Sequence, residues 1–85
     1  MTTRAQVLAR YGLGQCSMTT IGAEKLPQFP NWRVRVTCDK AQPTYLEVGH
    51  ARQLADELRR AGEMDLAMRV ELAVEEAIRN TRNAK

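Results

Sequence analysis

Residues 45–80 read YLEVGHARQLADELRRAGEMDLAMRVELAVEEAIRN, and this stretch decides the fold. Its pattern predicts a short strand followed by two amphipathic helices with a break at Gly62. Each residue of a helix turns by about 100°, so the apolar residues of each helical segment fall on one stripe. The first stripe consists of Ala51, Leu54, Ala55, Leu58 and Ala61, and the second of Leu66, Val70, Ala73, Val74, Ala77 and Ile78.

A single straight helix could not bury both stripes against one core. If the helix continued through Gly62, the two stripes would differ in phase by roughly 130° on the same wheel. Glycine costs about 1 kcal/mol inside a helix and is favoured just beyond a helix end. We therefore predict that the first helix ends near Ala61 and that the chain turns over residues 62–65. The second helix would be capped by Asp65, end near Arg79 and complete an αα-hairpin.

Alternation with a period of two predicts a strand over residues 32–38. In a strand, successive side chains point to opposite faces, so one face of this strand is apolar and the other is basic. Residues 44–48 return as a second strand after a turn at 39–43, with Leu46 and Val48 facing the core. The apolar set of the first strand is Trp32, Val34, Val36 and Cys38, and the polar set is Arg33, Arg35 and Thr37.

The N-terminal part of the chain predicts a short helix and a third strand. Thr2 or Thr3 can cap the helix, and Gly12 and Gly14 end it. A third strand is predicted over residues 16–21, followed by a proline-containing loop over residues 22–31. The apolar contacts of the helix would come from Ala5, Val7, Leu8 and Tyr11.

Together these elements predict an α+β fold in two layers. An antiparallel sheet of two or three strands is covered on one face by the C-terminal helical hairpin, and a short N-terminal helix precedes the sheet. With 85 residues, 44% of them hydrophobic and 27% charged, the chain is expected to form one globular domain over residues 1–85. The polar residues 80–85 are expected to fray.

The composition and charge of the chain favour a cytoplasmic protein of bacterial or phage type. No apolar run approaches the length of a membrane span, and the first residues do not lead into the apolar core of a signal peptide. Arginine outnumbers lysine, which is associated with GC-rich bacterial and phage genomes. Residues 1–45 hold six basic and two acidic residues, whereas residues 46–85 hold seven basic and eight acidic residues. The excess positive charge therefore lies in the N-terminal half.

Three large apolar residues lie off the main stripe of the second helix. Met64, Met68 and Leu72 recur every four residues and differ in direction from that stripe by roughly 90 to 180°. Contact with the first helix or with the N-terminal segment is one explanation. The other is a protein-binding or self-association surface, for which methionine is suited because its side chain adapts to irregular partners. We predict protein binding through Met64, Met68, Leu72 and the flanking Glu75.

The polar face of the central strand supports an alternative function. Arg33 and Arg35 point outward beside Tyr45, and Lys40 lies in the adjoining turn. Arginine attracts phosphate and a base can stack on tyrosine, so this face could bind single-stranded nucleic acid. The same pattern is also typical of an ordinary solvated face, with Glu47 as a cross-strand partner.

The first predicted helix resembles the first helix of a helix-turn-helix DNA-binding motif at Gln53, Leu54, Ala55 and Leu58. In that motif the turn follows closely after the position of Leu58, whereas the glycine here is at position 62. The acidic residues of the second helix would also repel phosphate. The pair of helices has the outline of a single tetratricopeptide-like hairpin as well, but such repeats need neighbours to be stable.

No group of residues defines a reaction or a cofactor. His50, the only histidine, follows Gly49 at a helix start, where backbone N–H groups can hold an anion. Cys16, Cys38 and His50 offer three zinc-type ligands without a C-x-x-C pair or a fourth ligand, so we predict no metal. A disulfide between the two cysteines stays open, although reduced thiols are expected in the cytosol. An enzyme would need a pocket lined by His50 and a cysteine or carboxylate, and we predict neither catalytic residues nor a cofactor.

The sequence therefore predicts a non-catalytic module that binds another protein, or a second copy of itself as a homodimer, and acts by occupying a surface. An accessory subunit or an inhibitor of a larger bacterial or phage complex fits this description. The alternative is a nucleic-acid-binding module that uses the basic sheet face. No membrane partner is expected.

Overall fold

The computed structural model describes residues 2–13, 19–38 and 42–83. The strands in these residues form one antiparallel sheet with the order β1-β2-β3. Two helices, α2 and α3, pack against each other and against the sheet, and α1 packs against α2. The predicted α+β fold with a C-terminal helical hairpin is therefore confirmed. In chain order the elements are α1 (Arg4–Arg10), β1 (Thr19–Glu24), β2 (Arg33–Cys38), β3 (Thr44–Leu46), α2 (Val48–Arg60) and α3 (Met64–Asn83).

The apolar face of the sheet forms the floor of the core. Val34 and Val36 of β2 are 0% and 2% exposed. Val34 lies opposite Ala23 of β1 and Leu46 of β3, so apolar side chains run across the sheet on this face. The arginines of β2 lie on the other face, as the period of two predicts.

The helical hairpin covers this floor with the apolar stripes that the sequence predicts. Leu54 and Leu58 of α2 and Val70 of α3 are at most 1% exposed. Ala5 of α1 is exposed, contrary to expectation, because the short helix turns only one side toward α2. The remaining buried residues of the three helices include Val7, Leu8, Ala51, Ala55, Leu66, Ala67, Ala73, Val74 and Ala77.

Helix α2 ends at the predicted break. Gly62 has a φ of 84°, and its N–H donates to the carbonyl oxygen of Arg59 at 3.0 Å. The N–H of Glu63 donates to the carbonyl oxygen of Leu58 at 2.9 Å. These two bonds form a Schellman motif, which ends a helix and favours glycine at its left-handed position. The chain enters α3 directly afterwards, at Met64, so the predicted αα-hairpin is confirmed.

Helix α1 has a capped start and the same kind of ending. The Oγ1 of Thr3 accepts the N–H of Gln6 at 3.3 Å, and the Oε1 of Gln6 accepts the N–H of Thr3 at 2.9 Å. This reciprocal pair is a capping box. At the other end Gly12 has a φ of 74°, and the N–H of Leu13 donates to the carbonyl oxygen of Leu8 at 2.9 Å. The predicted cap and the predicted stop at Gly12 are both confirmed.

Strand β1 extends farther than predicted. Residues 22–24 are strand rather than loop because they pair with β2, where Ala23 lies opposite Val34 and Glu24 lies opposite Arg33. Glycine and alanine are poor strand formers, so pairing with a neighbour outweighs their local preference here. The beginning of the predicted strand, residues 16–18, lies outside the described residues.

Helix α2 begins earlier than predicted. The sequence assigns Val48 to a strand and the following residues to a turn, but β3 ends at Leu46 and α2 starts at Val48. Glu47 is the N-cap and has an extended backbone, with φ −63° and ψ 153°. Val48 is half-buried and packs against the core from the first helical turn. Its apolar contact is therefore as predicted, while its backbone conformation is not.

Helix α3 is longer at both ends than predicted. It starts at Met64, so Asp65 lies in the first turn rather than at the N-cap. An acidic side chain in the first turn still interacts favourably with the helix dipole. At the other end the helix continues past Arg79 through most of the tail that the sequence predicts to fray. The Oγ1 of Thr81 accepts the N–H of Trp32 at 3.1 Å, which joins the last part of α3 to the start of β2.

Candidate protein-binding surface

Met64, Met68 and Leu72 form a line of exposed side chains on α3, called here the apolar row. Their exposed fractions are 53%, 60% and 58%. At about 1.5 Å of rise per residue, the row is about 12 Å long. On the helical wheel its members point about 120 to 160° away from the centre of the buried stripe of α3. More than half of each side chain in the row therefore lies in solvent.

Helix α3 holds the apolar row in a fixed place because the opposite side of the helix is deeply buried. Ala67 and Ala77 are fully buried against α2 and the sheet, and Val70 is 1% exposed. Rotation of α3 about its axis would expose this stripe, which is opposed by the hydrophobic effect. A partner that covers the row therefore does not have to order the backbone of α3, although the exposed methionine and leucine side chains still lose rotamer freedom.

Acidic residues lie around the apolar row. Glu75 and Glu76 are exposed near its C-terminal end, and Asp65 is exposed near its N-terminal end. Glu71 is half-buried and forms an ion pair with Arg59 between α3 and α2. The residue predicted to flank the surface, Glu75, therefore lies in solvent beside the row.

The outer face of the sheet brings Arg33, Arg35 and Tyr45 together, as the sequence predicts. Arg35 and Tyr45 are direct partners in the register of β2 and β3. Arg33 precedes Arg35 by two residues, so both lie on the same face of β2. Lys40, the fourth residue of the predicted nucleic-acid surface, lies outside the described residues.

Glu24 joins two of these side chains. The Nη1 of Arg35 donates to Oε1 of Glu24 at 2.8 Å, and the hydroxyl of Tyr45 donates to Oε2 at 3.2 Å. Partial burial, together with this hydrogen bond, raises the pKa of Tyr45 above its usual value. Sequence reasoning missed Glu24 because it placed that residue in a loop, whereas its position in β1 puts it on the outer face.

Arg33 is also paired. Its Nη2 is 3.4 Å from Oε1 of Glu47, the partner suggested by the sequence, and its guanidinium carbon is 3.7 Å from the centre of the Phe29 ring. The second contact is a cation–π interaction. In the described part of the sheet face, each arginine thus has a carboxylate partner. The two described arginines of this face therefore supply no excess of positive charge, and nucleic-acid binding depends on such an excess.

A second polar cluster fixes α1 on α2. The Nη1 of Arg10 donates to Oε1 of Glu57 at 2.7 Å, and the hydroxyl of Tyr11 donates to Oε2 of the same carboxylate. Burial and this hydrogen bond raise the pKa of Tyr11 to about 12. The hydrogen bond from Tyr11, followed by that from Arg10, lowers the pKa of Glu57. The rings of Tyr11 and His50 are 4.8 Å apart at their centres, so this histidine contacts the tyrosine that follows α1.

The remaining sequence predictions concern metals, cysteines and membranes. Among the residues that the structure describes, no group of three or more histidine, cysteine, aspartate or glutamate side chains is placed to hold a metal ion. The side chains of Cys16 and Cys38 lie outside the described part of the structure, so a disulfide between them stays as open as in the sequence analysis. None of the described helices combines the length and the apolar character needed to cross a bilayer.

No protein-family model, no curated protein and no solved structure matches this chain. The function must therefore be argued from the surfaces themselves. The polar clusters on the sheet and on α1 are accounted for by contacts within the fold. The apolar row is the feature whose exposure the fold does not explain.

Proposed function

We propose that this protein is a non-catalytic protein-binding module that acts by occupying the surface of a partner through the apolar row. The observation that carries the proposal is the exposure of Met64, Met68 and Leu72 in one line on a rigid helix. Single apolar residues are ordinary on protein surfaces. A contiguous apolar line along a helix is typical of a helix that docks onto another protein.

The apolar row contributes favourable free energy only when it is covered. Full burial of a methionine or leucine side chain contributes about 1.5–3 kcal/mol, and more than half of each side chain in the row is still exposed. Covering the row would thus contribute on the order of 1 kcal/mol for each side chain. Because α3 is already ordered, little of this free energy is lost to ordering the helix.

The proposal includes the kind of complex in which the module works. A small domain that presents an exposed apolar row suits an accessory subunit, or an inhibitor that blocks a site on a larger complex. The arginine-rich composition supports a bacterial or phage origin. The proposal places the action of the module in the cytoplasm. A symmetric homodimer through the apolar row would bring two acidic surroundings together, so we take a different protein as the partner.

Comparative affinity capture tests the proposal. Three forms of the protein serve as bait in a lysate of the cells that produce it: the wild type, the double variant Met68→Gln/Leu72→Gln and the control Gln53→Ala on the exposed side of α2. Glutamine keeps helix propensity and adds no charge, so the double variant removes only apolar surface. We expect a partner that the wild type and the control retain and the double variant loses. Retention of the same proteins by all three would contradict the proposal.

A nucleic-acid-binding module is the second candidate, because Arg35 and Tyr45 lie side by side on the outer face of the sheet. The shared contact of both residues with Glu24 opposes this function. The nucleic-acid function would be supported if the wild type forms a salt-sensitive complex with a single-stranded oligonucleotide and the variant Arg33→Glu/Arg35→Glu does not.

A further inference from the structure

The charges around the apolar row indicate the chemistry of its partner, an inference that rests on the proposed function. Residues 63–83, which are α3 and the residue before it, contain five acidic residues and three basic residues, Arg69, Arg79 and Arg82, which gives a charge of −2 in a chain whose net charge is +3. The row therefore lies in the acidic part of a basic protein. The acidic residues are Glu63, Asp65, Glu71, Glu75 and Glu76.

Contacts within the fold neutralise only part of this negative charge. The Oε1 of Glu63 is 3.8 Å from the Nη1 of Arg4, and Glu71 is paired with Arg59. The first pair connects the turn before α3 with α1 and the second connects α3 with α2, so both belong to the packing of the helices. The other acidic residues of this segment are exposed.

Two of the exposed carboxylates close the C-terminal end of the apolar row. Glu75 and Glu76 follow Leu72 by three and four residues, so both are its neighbours on the helix surface. Neither forms an ion pair in the described ranges, although Arg79 follows them by four and three residues on the same side of α3. A partner that covers Leu72 brings its own charges close to these carboxylates, where the exclusion of water strengthens the interaction.

The spacing of the apolar row indicates the shape of the partner. Residues four apart on a helix form a ridge, and the packing of such ridges into the grooves of a second helix is the commonest way in which two helices meet. Met64, Met68 and Leu72 are one ridge of this kind. A second helix with an apolar stripe is thus the simplest structure that covers the row.

We infer that the apolar row binds a basic amphipathic helix of another protein, with lysine or arginine beside its apolar stripe. Basic flanks meet Glu75 and Glu76, whereas acidic flanks are repelled. The same charges oppose a symmetric contact with a second copy of the chain. They also distinguish this surface from one that binds phosphate groups.

Two synthetic helical peptides provide the test with the full chain. Both carry the same leucine stripe, and the flanking positions are lysine in one and glutamate in the other. Fluorescence anisotropy at low salt should show about fivefold tighter binding of the lysine peptide, as a few exposed ion pairs provide. The preference should vanish near about 1 M salt, where the screening length is about 3 Å. It should also shrink in Glu75→Gln/Glu76→Gln and persist in the control Glu47→Gln.

The outcomes separate this inference from the proposed function. Equal or tighter binding of the glutamate peptide, a preference unchanged in Glu75→Gln/Glu76→Gln, or no binding of either peptide would overturn the basic-helix inference. Loss of peptide binding in Met68→Gln/Leu72→Gln would still support docking on the apolar row. If that variant binds both peptides as tightly as the wild type, the row is not the docking surface and the proposed function fails too.

Discussion

The backbone N–H of Glu63 donates to the carbonyl oxygen of Leu58 at 2.9 Å, and this bond marks the place where α2 turns back into α3. Between the two residues, Gly62 has a φ of 84°. A residue with a Cβ adopts this conformation at a cost of about 1–2 kcal/mol. The turn directs the buried stripe of α3 toward the core and leaves Met64, Met68 and Leu72 outside. The geometry at Gly62 thus determines which side of α3 is available to a partner.

Replacing Gly62 with alanine should lower the free energy of unfolding by about 1 kcal/mol, because the new side chain is strained at a positive φ. Gly49→Ala is a matched control in the first turn of α2, where nothing lies within 4 Å of the added Cβ. This control should be neutral or stabilising by up to about 1 kcal/mol. Urea denaturation measures both changes, and equal effects would contradict the role assigned to Gly62.

The double variant Met68→Gln/Leu72→Gln should change the free energy of unfolding by no more than about 0.5 kcal/mol, because both side chains are mainly exposed. Leu58→Ala removes a fully buried side chain of α2 and should cost about 2–5 kcal/mol. Thermal and urea denaturation compare the two variants. A loss in the double variant as large as that in Leu58→Ala would place the row in the core and remove the basis of the proposed function.

Tyr11 should make the protein less stable in alkaline solution. Burial and the hydrogen bond to Glu57 raise its pKa from 10.0 to about 12. A raised pKa in the folded state gives a stabilising contribution that is complete below about pH 10 and is lost as the pH rises toward about 12. In Tyr11→Phe the free energy of unfolding should fall less over this range. Part of the alkaline fall should remain, because the pKa of Tyr45 is also raised. An alkaline profile identical to that of the wild type would contradict this account.

Glu57 should give the opposite dependence in acid. The hydrogen bonds from Tyr11 and Arg10 lower its pKa, so its contribution is present above the ordinary carboxyl range and is lost as the pH falls through the lowered value. Glu57→Gln should weaken the docking of α1 at neutral pH and reduce the further loss in acid. NMR signals of the α1 amides report on this docking during a pH titration. Asp56→Asn, an exposed neighbour, should keep the acid response of the wild type.

Wild-type protein should not form a salt-sensitive complex with a single-stranded oligonucleotide, because Glu24 and Glu47 neutralise the arginines of the sheet face. Fluorescence anisotropy at low salt measures this. Glu24→Gln releases Arg35 from its carboxylate and should give at most weak binding. Wild-type binding that disappears in Arg33→Glu/Arg35→Glu would favour the nucleic-acid function instead.

The hairpin and the central strand could be predicted from the sequence because both depend on local patterns. The apolar stripes of α2 and α3 follow from the helical repeat, and the alternation in β2 follows from the pleat of a strand. The turn between the helices needs a left-handed residue, which glycine adopts most readily. Gly62 therefore marked the turn without any information about tertiary structure.

Features that depend on distant partners could not be predicted in this way. Glu24 belongs to a strand because β2 lies beside it, and Glu57 binds Tyr11, which is 46 residues away in the sequence. The early start of α2 could not be predicted either. Val48 can contact the core in a helical or in an extended backbone conformation, so its apolar character does not distinguish the two. For the apolar row, a helical wheel of the sequence shows only that the three side chains lie away from the main apolar stripe of α3. Its exposure depends on where α1 and α2 pack.

Site-specific crosslinking at position 68 tests the central claim most directly. A photoreactive residue replaces Met68, and in a control Gln53, in the cells that naturally produce the protein. If the apolar row docks on a partner, position 68 should form an adduct with a different protein, and position 53 should not. Adducts of the same kind at both positions, or crosslinks from position 68 only within the chain itself, would contradict the claim.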